Sequence, residues 1–115
     1  MNLEKLRKFC LSLPHVTEDI KWGNDLCFCV GKKMFCVTGL EPSETWQFSL
    51  KCTPEKFAEL IEREDIIPAP YVARYHWVAI QHADALNDKE IFDLISNSYQ
   101  MVYDKLRKNV RLQLT

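Results

Sequence analysis

No stretch of this chain approaches the roughly 20 apolar residues needed to cross a bilayer, and its opening segment, MNLEKLRKFC, has neither an apolar h-region nor a cleavage site. Charge of one sign is also missing. Fifteen Lys and Arg stand against 16 Asp and Glu, for a formal net charge of -1 and a sequence pI near 6.3. A strong nucleic-acid binder has a clearly basic domain, so binding of that kind would need a local basic patch. There is no C-x-x-C pair, nucleophile elbow, phosphate loop or HExxH pattern, and so no motif that announces a metal or a reaction. Internal repeats and low-complexity segments are absent too. The five cysteines are odd in number, which argues against a closed disulfide framework. With no export signal, the expectation is a cytoplasmic protein with reduced thiols.

What is present is an ordinary globular composition: 115 residues, 47% hydrophobic and 27% charged, enough for one domain over 1–115 with one core. Leu3, Leu6, Phe9, Cys10 and Leu13 recur at helical spacing after Asn2, a good N-cap, and Pro14 stops the helix. Residues 15–24 read as a loop. Two strand-like runs, 25–30 and 33–40, flank Gly31-Lys32, which suits a type II′ hairpin turn. Glu41-Pro42-Ser43-Glu44 reads as a second turn. Beyond it Trp46, Phe48 and Leu50 alternate with Thr45, Gln47, Ser49 and Lys51, the pattern of a strand with one wet face. Thr53-Pro54-Glu55 opens a helix of about three turns. Pro68 and Pro70 forbid a regular helix or a central strand, and residues 76–81 form a strand with Val78 and Ile80 inward. Asn87 starts a capping box with Glu90 and a long helix to about residue 108. The last residues, 109–115, read as frayed. The order helix, three strands, helix, strand, helix predicts an α+β fold in two layers, an antiparallel sheet packed against helices.

The turn fixes a register. With Val30 opposite Lys33, Cys29 faces Met34, Phe28 faces Phe35 and Cys27 faces Cys36. Leu26, Phe28, Val30, Phe35 and Val37 then share the core face. Cys27, Cys29, Met34 and Cys36 share the other, a sulfur-rich surface suited to a protein partner in the manner of a chaperone. Three thiols on one face with His76 or His82 could hold a soft metal, but without metal-ligand spacing the expectation is no metal and no cofactor. His76, beside Arg74 and Tyr75, could do acid–base work in principle. With no supporting motif the expectation is a protein that is not an enzyme.

The segment 66–82 packs two prolines, three aromatics, an arginine and two histidines together. Lys32 and Lys33 on a hairpin tip, with Lys51, Arg74, His76 and Trp77, make a candidate nucleic-acid surface of phosphate contacts and a stacking aromatic.

Several pieces together carry a family resemblance across nearly the whole chain: Leu13-Pro14 then Thr17-Glu18, the hairpin Gly31-Lys32-Lys33-Met34-Phe35, Lys51 closing the third strand, Tyr71 with His76-Trp77-Val78, and Ser98-Tyr99 in the last helix. The chain resembles the MmcQ/YjbR-like family of small bacterial proteins. The resemblance implies a two-layer α+β fold like that of secretion chaperones and the bacterial frataxin homologue. It also implies DNA binding through a double-wing arrangement of hairpins. The partner expected first is therefore DNA, held weakly and in a salt-dependent way, with a protein partner as the alternative.

Overall fold

The computed structural model describes residues 1–40 and 46–114. The expected turn at Glu41–Glu44 and the expected strand residue Thr45 lie outside them. Helix α1 (Leu3–Ser12) is capped by Asn2, whose side chain accepts from the Lys5 N–H. Strands β1 (Val16–Lys21), β2 (Asp25–Val30), β3 (Lys33–Gly39) and β4 (Phe48–Lys51) follow. Then come α2 (Pro54–Leu60), β5 (Ile66–Pro68), a 3-10 turn at Ala73–Tyr75, β6 (Trp77–Ile80), α3 (Asp88–Asp104) and α4 (Lys108–Leu114). Thr53 and Asn87 cap α2 and α3 as expected, accepting from Lys56 and Glu90. The six strands form one antiparallel sheet in the order β1-β2-β3-β4-β6-β5. No helix among the described residues is long and apolar enough to cross a membrane.

The two-layer α+β class is as expected, with three elements added. Strand β1 occupies most of the segment read as a loop. It is an edge strand, and its middle residues, Thr17 to Ile20, are all exposed. With neither face covered there is no inward–outward alternation to read, and Glu18 and Asp19 are poor strand formers. Charged residues on such an edge also discourage pairing with another chain. Arg7 of α1 grips Glu18 with two hydrogen bonds of 2.8 and 2.6 Å. That pairing lowers the carboxyl below the usual range. Strand β5 is the opposite edge, where Pro68 breaks no ladder bond that a central strand would need. The third addition is α4. The last residues do not fray, because Val110 and Leu114 pack on the core, and the long helix ends at Asp104 instead of near 108.

One sheet face carries the core. Leu26, Phe28, Val30, Phe35, Phe48, Leu50, Val78 and Ile80 meet Leu6 and Cys10 of α1, Leu60 of α2, and Ile91, Ile95 and Val102 of α3. The other face has a small buried cluster, Ala69, Trp77 and Ala79, with Met34, Val37 and Val72 partly buried against it, and Cys27 and Cys29 are buried there as well.

The hairpin between β2 and β3 departs from the expected geometry twice. Gly31 and Lys32 both have positive φ, 56° and 68°, which is the signature of a type I′ turn and not II′. Further along, the register slips. Val30 pairs with Lys33 and Cys29 with Met34, but Phe28 then pairs with Cys36 and Cys27 with Val37. Phe35 is the extra residue of a β-bulge, and beyond it each β3 residue turns to the face opposite the one an unbroken ladder would give it. Cys36 therefore joins the core beside Cys10, and Val37 moves to the outer face. Cys27, Cys29 and Cys36 do not share a face, so the sulfur-rich surface and the three-thiol metal arrangement lose their geometry. All three thiols are buried. Burial pushes the Cys27 thiol up to about 11. A hydrogen bond with Cys10, then burial, hold Cys36 well above the usual cysteine range.

On the other side of β3, just past the Cys36–Leu50 pair that ends the β3–β4 ladder, Ser98 of α3 joins the two strands. Its hydroxyl donates to the Phe35 carbonyl at 2.5 Å and accepts from the Lys51 N–H at 3.2 Å. The neighbouring Tyr99 hydroxyl donates to the Pro14 carbonyl at 2.7 Å. The turn itself is clamped from the other side. A Cβ on Gly31 would lie 2.7 Å from Leu106 Cδ1 and 3.1 Å from Val110 Cγ1. Gly31→Ala therefore meets both a left-handed backbone and a crowded site. It should lower stability by about 1–3 kcal/mol in a urea melt; an unchanged midpoint would mean that α4 does not rest on the turn.

Candidate nucleic-acid interface

The hairpin tip, the end of β4, the 3-10 turn and the α3–α4 junction converge on one cavity of about 660 Å³. Lys33 reaches it from the start of β3 and Lys51 from the end of β4. Tyr75 and Trp77 come from the turn before β6 and from its first position, and Lys105 and Arg107 from the link between α3 and α4. Four cations thus line the cavity and no carboxylate does. Among the described residues none of the four is in an ion pair. The pairs that do form use other cations, such as Arg7 with Glu18, Lys5 with Asp88 and Arg63 with Glu90.

The electrostatics carry the same mark. Burial, and then the nearby charge of Lys105, lower the Lys51 ammonium below the ordinary lysine range. Two ammonium groups that repel each other without a counter-charge form a site that an anion would relieve. Lys51 is held in place all the same. Its backbone is bonded to Ser98, its Nζ donates to the Tyr75 carbonyl at 3.0 Å, and it sits 5.9 Å from the Tyr75 ring centroid. Arg74 lies over the same ring at 4.8 Å. Tyr75 thereby ties Arg74 to Lys51.

Of the residues singled out in the sequence, the structure brings Lys33, Lys51 and Trp77 to one wall and places Arg74 against Tyr75 beside them. Lys32 is exposed at the second position of the turn, outside the cavity lining. His76 is not brought in. It stands in the left-handed region at φ 66°, and its ring meets Phe57 of α2 edge-on, with centroids 5.6 Å apart. Its carbonyl accepts from the Cys52 N–H and thiol, so the residue joins β6 to the start of α2. His82 is also elsewhere, its Nδ1 accepting from the Asp84 N–H. Sequence reasoning missed Lys105 and Arg107. The signal was the basic run Lys105, Arg107, Lys108 and Arg111 within seven residues, which a single helix continuing to about residue 108 would carry away from the hairpin tip.

A second cavity, of about 410 Å³, adjoins the first and shares Met34 and Trp77 with it. It is lined mostly by apolar and aromatic side chains.

A two-layer α+β domain, its sheet covered by helices on one face and bearing a cationic hollow where the end of the sheet meets the α3–α4 junction, is the class that fold and surface define. The chain belongs to the YjbR family, whose model matches residues 11–101. Its structure is similar to the crystal structure of Deinococcus radiodurans protein DR2400, which has the family-model domain DUF419. The TM-score is 0.86 at 28% identity, over 97% of this chain and 86% of that one. A protein from Pseudomonas syringae has the same fold, with a TM-score of 0.73 at 21% identity, over 89% of this chain and 99% of its own. No curated protein matches the chain.

Proposed function

We propose that this protein binds DNA through the cationic cavity at the tip of the β2–β3 hairpin, without chemistry of its own. The observation that carries this reading is the meeting of Lys33, Lys51, Lys105 and Arg107 from three separate parts of the chain on one wall without a carboxylate. A net charge of -1 is compatible with it, because binding depends on where cations gather and not on their sum. Phosphate contacts by lysine and arginine release counterions, so affinity falls steeply with salt. Tyr75, half exposed, adds aromatic surface beside the charges, while Trp77 is buried and supports the wall behind it. A protein partner is the weaker alternative. The thiols meant to receive it are buried, and such a partner would meet Met34 and aromatic side chains instead.

The test is fluorescence anisotropy of a labelled mixed-sequence DNA at about 50 and 200 mM salt, the range over which counterion release is usually read. Four phosphate contacts predict a loss of affinity on the order of 100-fold across it. Lys33→Glu/Arg107→Glu changes two side chains that make no hydrogen bond among the described residues. It should remove most of the binding and about half of the salt dependence while leaving the thermal melt in place. Binding that ignores both salt and this substitution would place the DNA elsewhere or refute the reading.

A further inference from the structure

We propose that the strand bound is single, with its phosphates in the cationic cavity and its bases stacked in the adjoining apolar one. This rests on the nucleic-acid reading above and specifies its ligand. The apolar cavity is lined by Trp22, Asp25, Met34, Val37, Tyr71 and Trp77, among others. Two of these aromatics are displayed to solvent to an unusual degree: Trp22 is 71% and Tyr71 99% exposed. Both are held in the left-handed backbone region, at φ 53° and 69°. Bulky side chains rarely stand there, and the conformation costs energy that the surrounding structure must supply. Trp77 lies between the two cavities as a wall of both.

The placement gives the ligand a direction. Trp22 lies in the turn that leads into β2, and Lys33 follows the turn that leaves it. β2, with six residues, spans about 20 Å, so the two adjoining cavities run from one end of this strand to the other with room for several nucleotides. In a duplex, stacking and pairing hide the base faces, and only backbone and groove edges are offered. An apolar cavity flanked by exposed aromatic rings suits bases whose faces are free. Asp25 on its wall repels phosphate and accepts hydrogen bonds, as the amino groups of bases require. Phosphate is thus directed to the lysine end and the base to the tryptophan end.

The experiment compares a labelled oligonucleotide of about 12 nucleotides, single-stranded, with the duplex of the same sequence. Anisotropy and intrinsic tryptophan fluorescence are read for the wild type, Trp22→Ala/Tyr71→Ala and Lys33→Glu/Arg107→Glu. The single strand should bind more tightly than the duplex and quench tryptophan emission. The aromatic variant should lose on the order of 10-fold or more for the strand and little for the duplex. The charge variant should lose both. Equal or tighter duplex binding overturns the single-strand inference but leaves DNA binding standing. So does strand binding unchanged in the aromatic variant, as expected if Trp22 and Tyr71 serve a protein partner. No binding of either form at low salt overturns the DNA reading itself. Both aromatics are exposed, so a melt unchanged from wild type shows that any loss is not one of folding.

Discussion

Phe48→Ala lowers the free energy of unfolding by about 3–5 kcal/mol, the usual cost of truncating a fully buried phenylalanine. Phe48 is 1% exposed and occupies the centre of the sheet, paired with Thr38 on β3 and Ile80 on β6. Its ring lies 5.3 Å from that of Trp46, tilted by 34°. Removing it leaves a cavity between rigid strands on both sides, which cannot collapse to fill it. The neighbouring Gln47→Ala, on the exposed alternate position, should change stability by no more than about 0.5 kcal/mol. Chemical denaturation of the two variants side by side checks the phase of β4 directly. A large effect at 47 with none at 48 would show that the strand faces the other way.

Ser98→Ala is the second large effect, about 2–4 kcal/mol, although it deletes a single oxygen. Ser98 is fully buried, and its hydroxyl is the link between the Phe35 carbonyl and the Lys51 N–H. Alanine leaves an acceptor and a donor of the backbone without partners in a place water does not reach, and each carries its own desolvation penalty. The β3–β4 pairing ends at Cys36 and Leu50, so Phe35 and Lys51 lie beyond its last rung and are joined there through the hydroxyl. Equilibrium denaturation measures the cost, and amide hydrogen exchange locates it: the Lys51 amide should exchange faster in the variant. Unchanged stability would mean that the two strands bond directly once the hydroxyl is gone. The same substitution bears on the candidate site, since Ser98 fixes the backbone from which Lys51 reaches the cavity. Weaker DNA binding in a still-folded Ser98→Ala protein would therefore report lost positioning and not lost charge.

The two effects differ in how far they could be foreseen. The burial of Phe48 follows from an alternation that runs unbroken from Trp46 to Leu50, with polar residues between, and any sheet would bury that face. The role of Ser98 depends on where the β3–β4 ladder ends, beside the bulge. No residue type at 35 marks one: Phe35 is a good strand former, and the pattern Met-Phe-Cys-Val reads equally well with or without an extra residue. The slip is decided by which arrangement lets Phe35 and Cys36 both reach the core under α3, a packing question between residues more than 60 positions apart. The error in the faces of Cys36 and Val37 follows from the same cause, and with it the error about the sulfur-rich surface.

The amino-acid sequence by itself determined the helices with capping residues, the hairpin around Gly31-Lys32, the inward face of β4 and β6, and the two-layer α+β class. It also marked Lys33, Lys51 and Trp77 as members of a candidate surface. These depend on local spacing and on side-chain chemistry that act within a few residues. Tertiary structure alone decided the rest. The edge strands β1 and β5 exist because a neighbouring strand offers its backbone, not because their own residues alternate. The C-terminal helix is ordered because Gly31 has no side chain and lets Leu106 and Val110 settle on the turn. That contact brings Lys105 and Arg107 to Lys33 and Lys51. A gathering of like charges from distant parts of a chain has no signature in local sequence, because only the packing of apolar residues beneath them holds the cations together against their own repulsion.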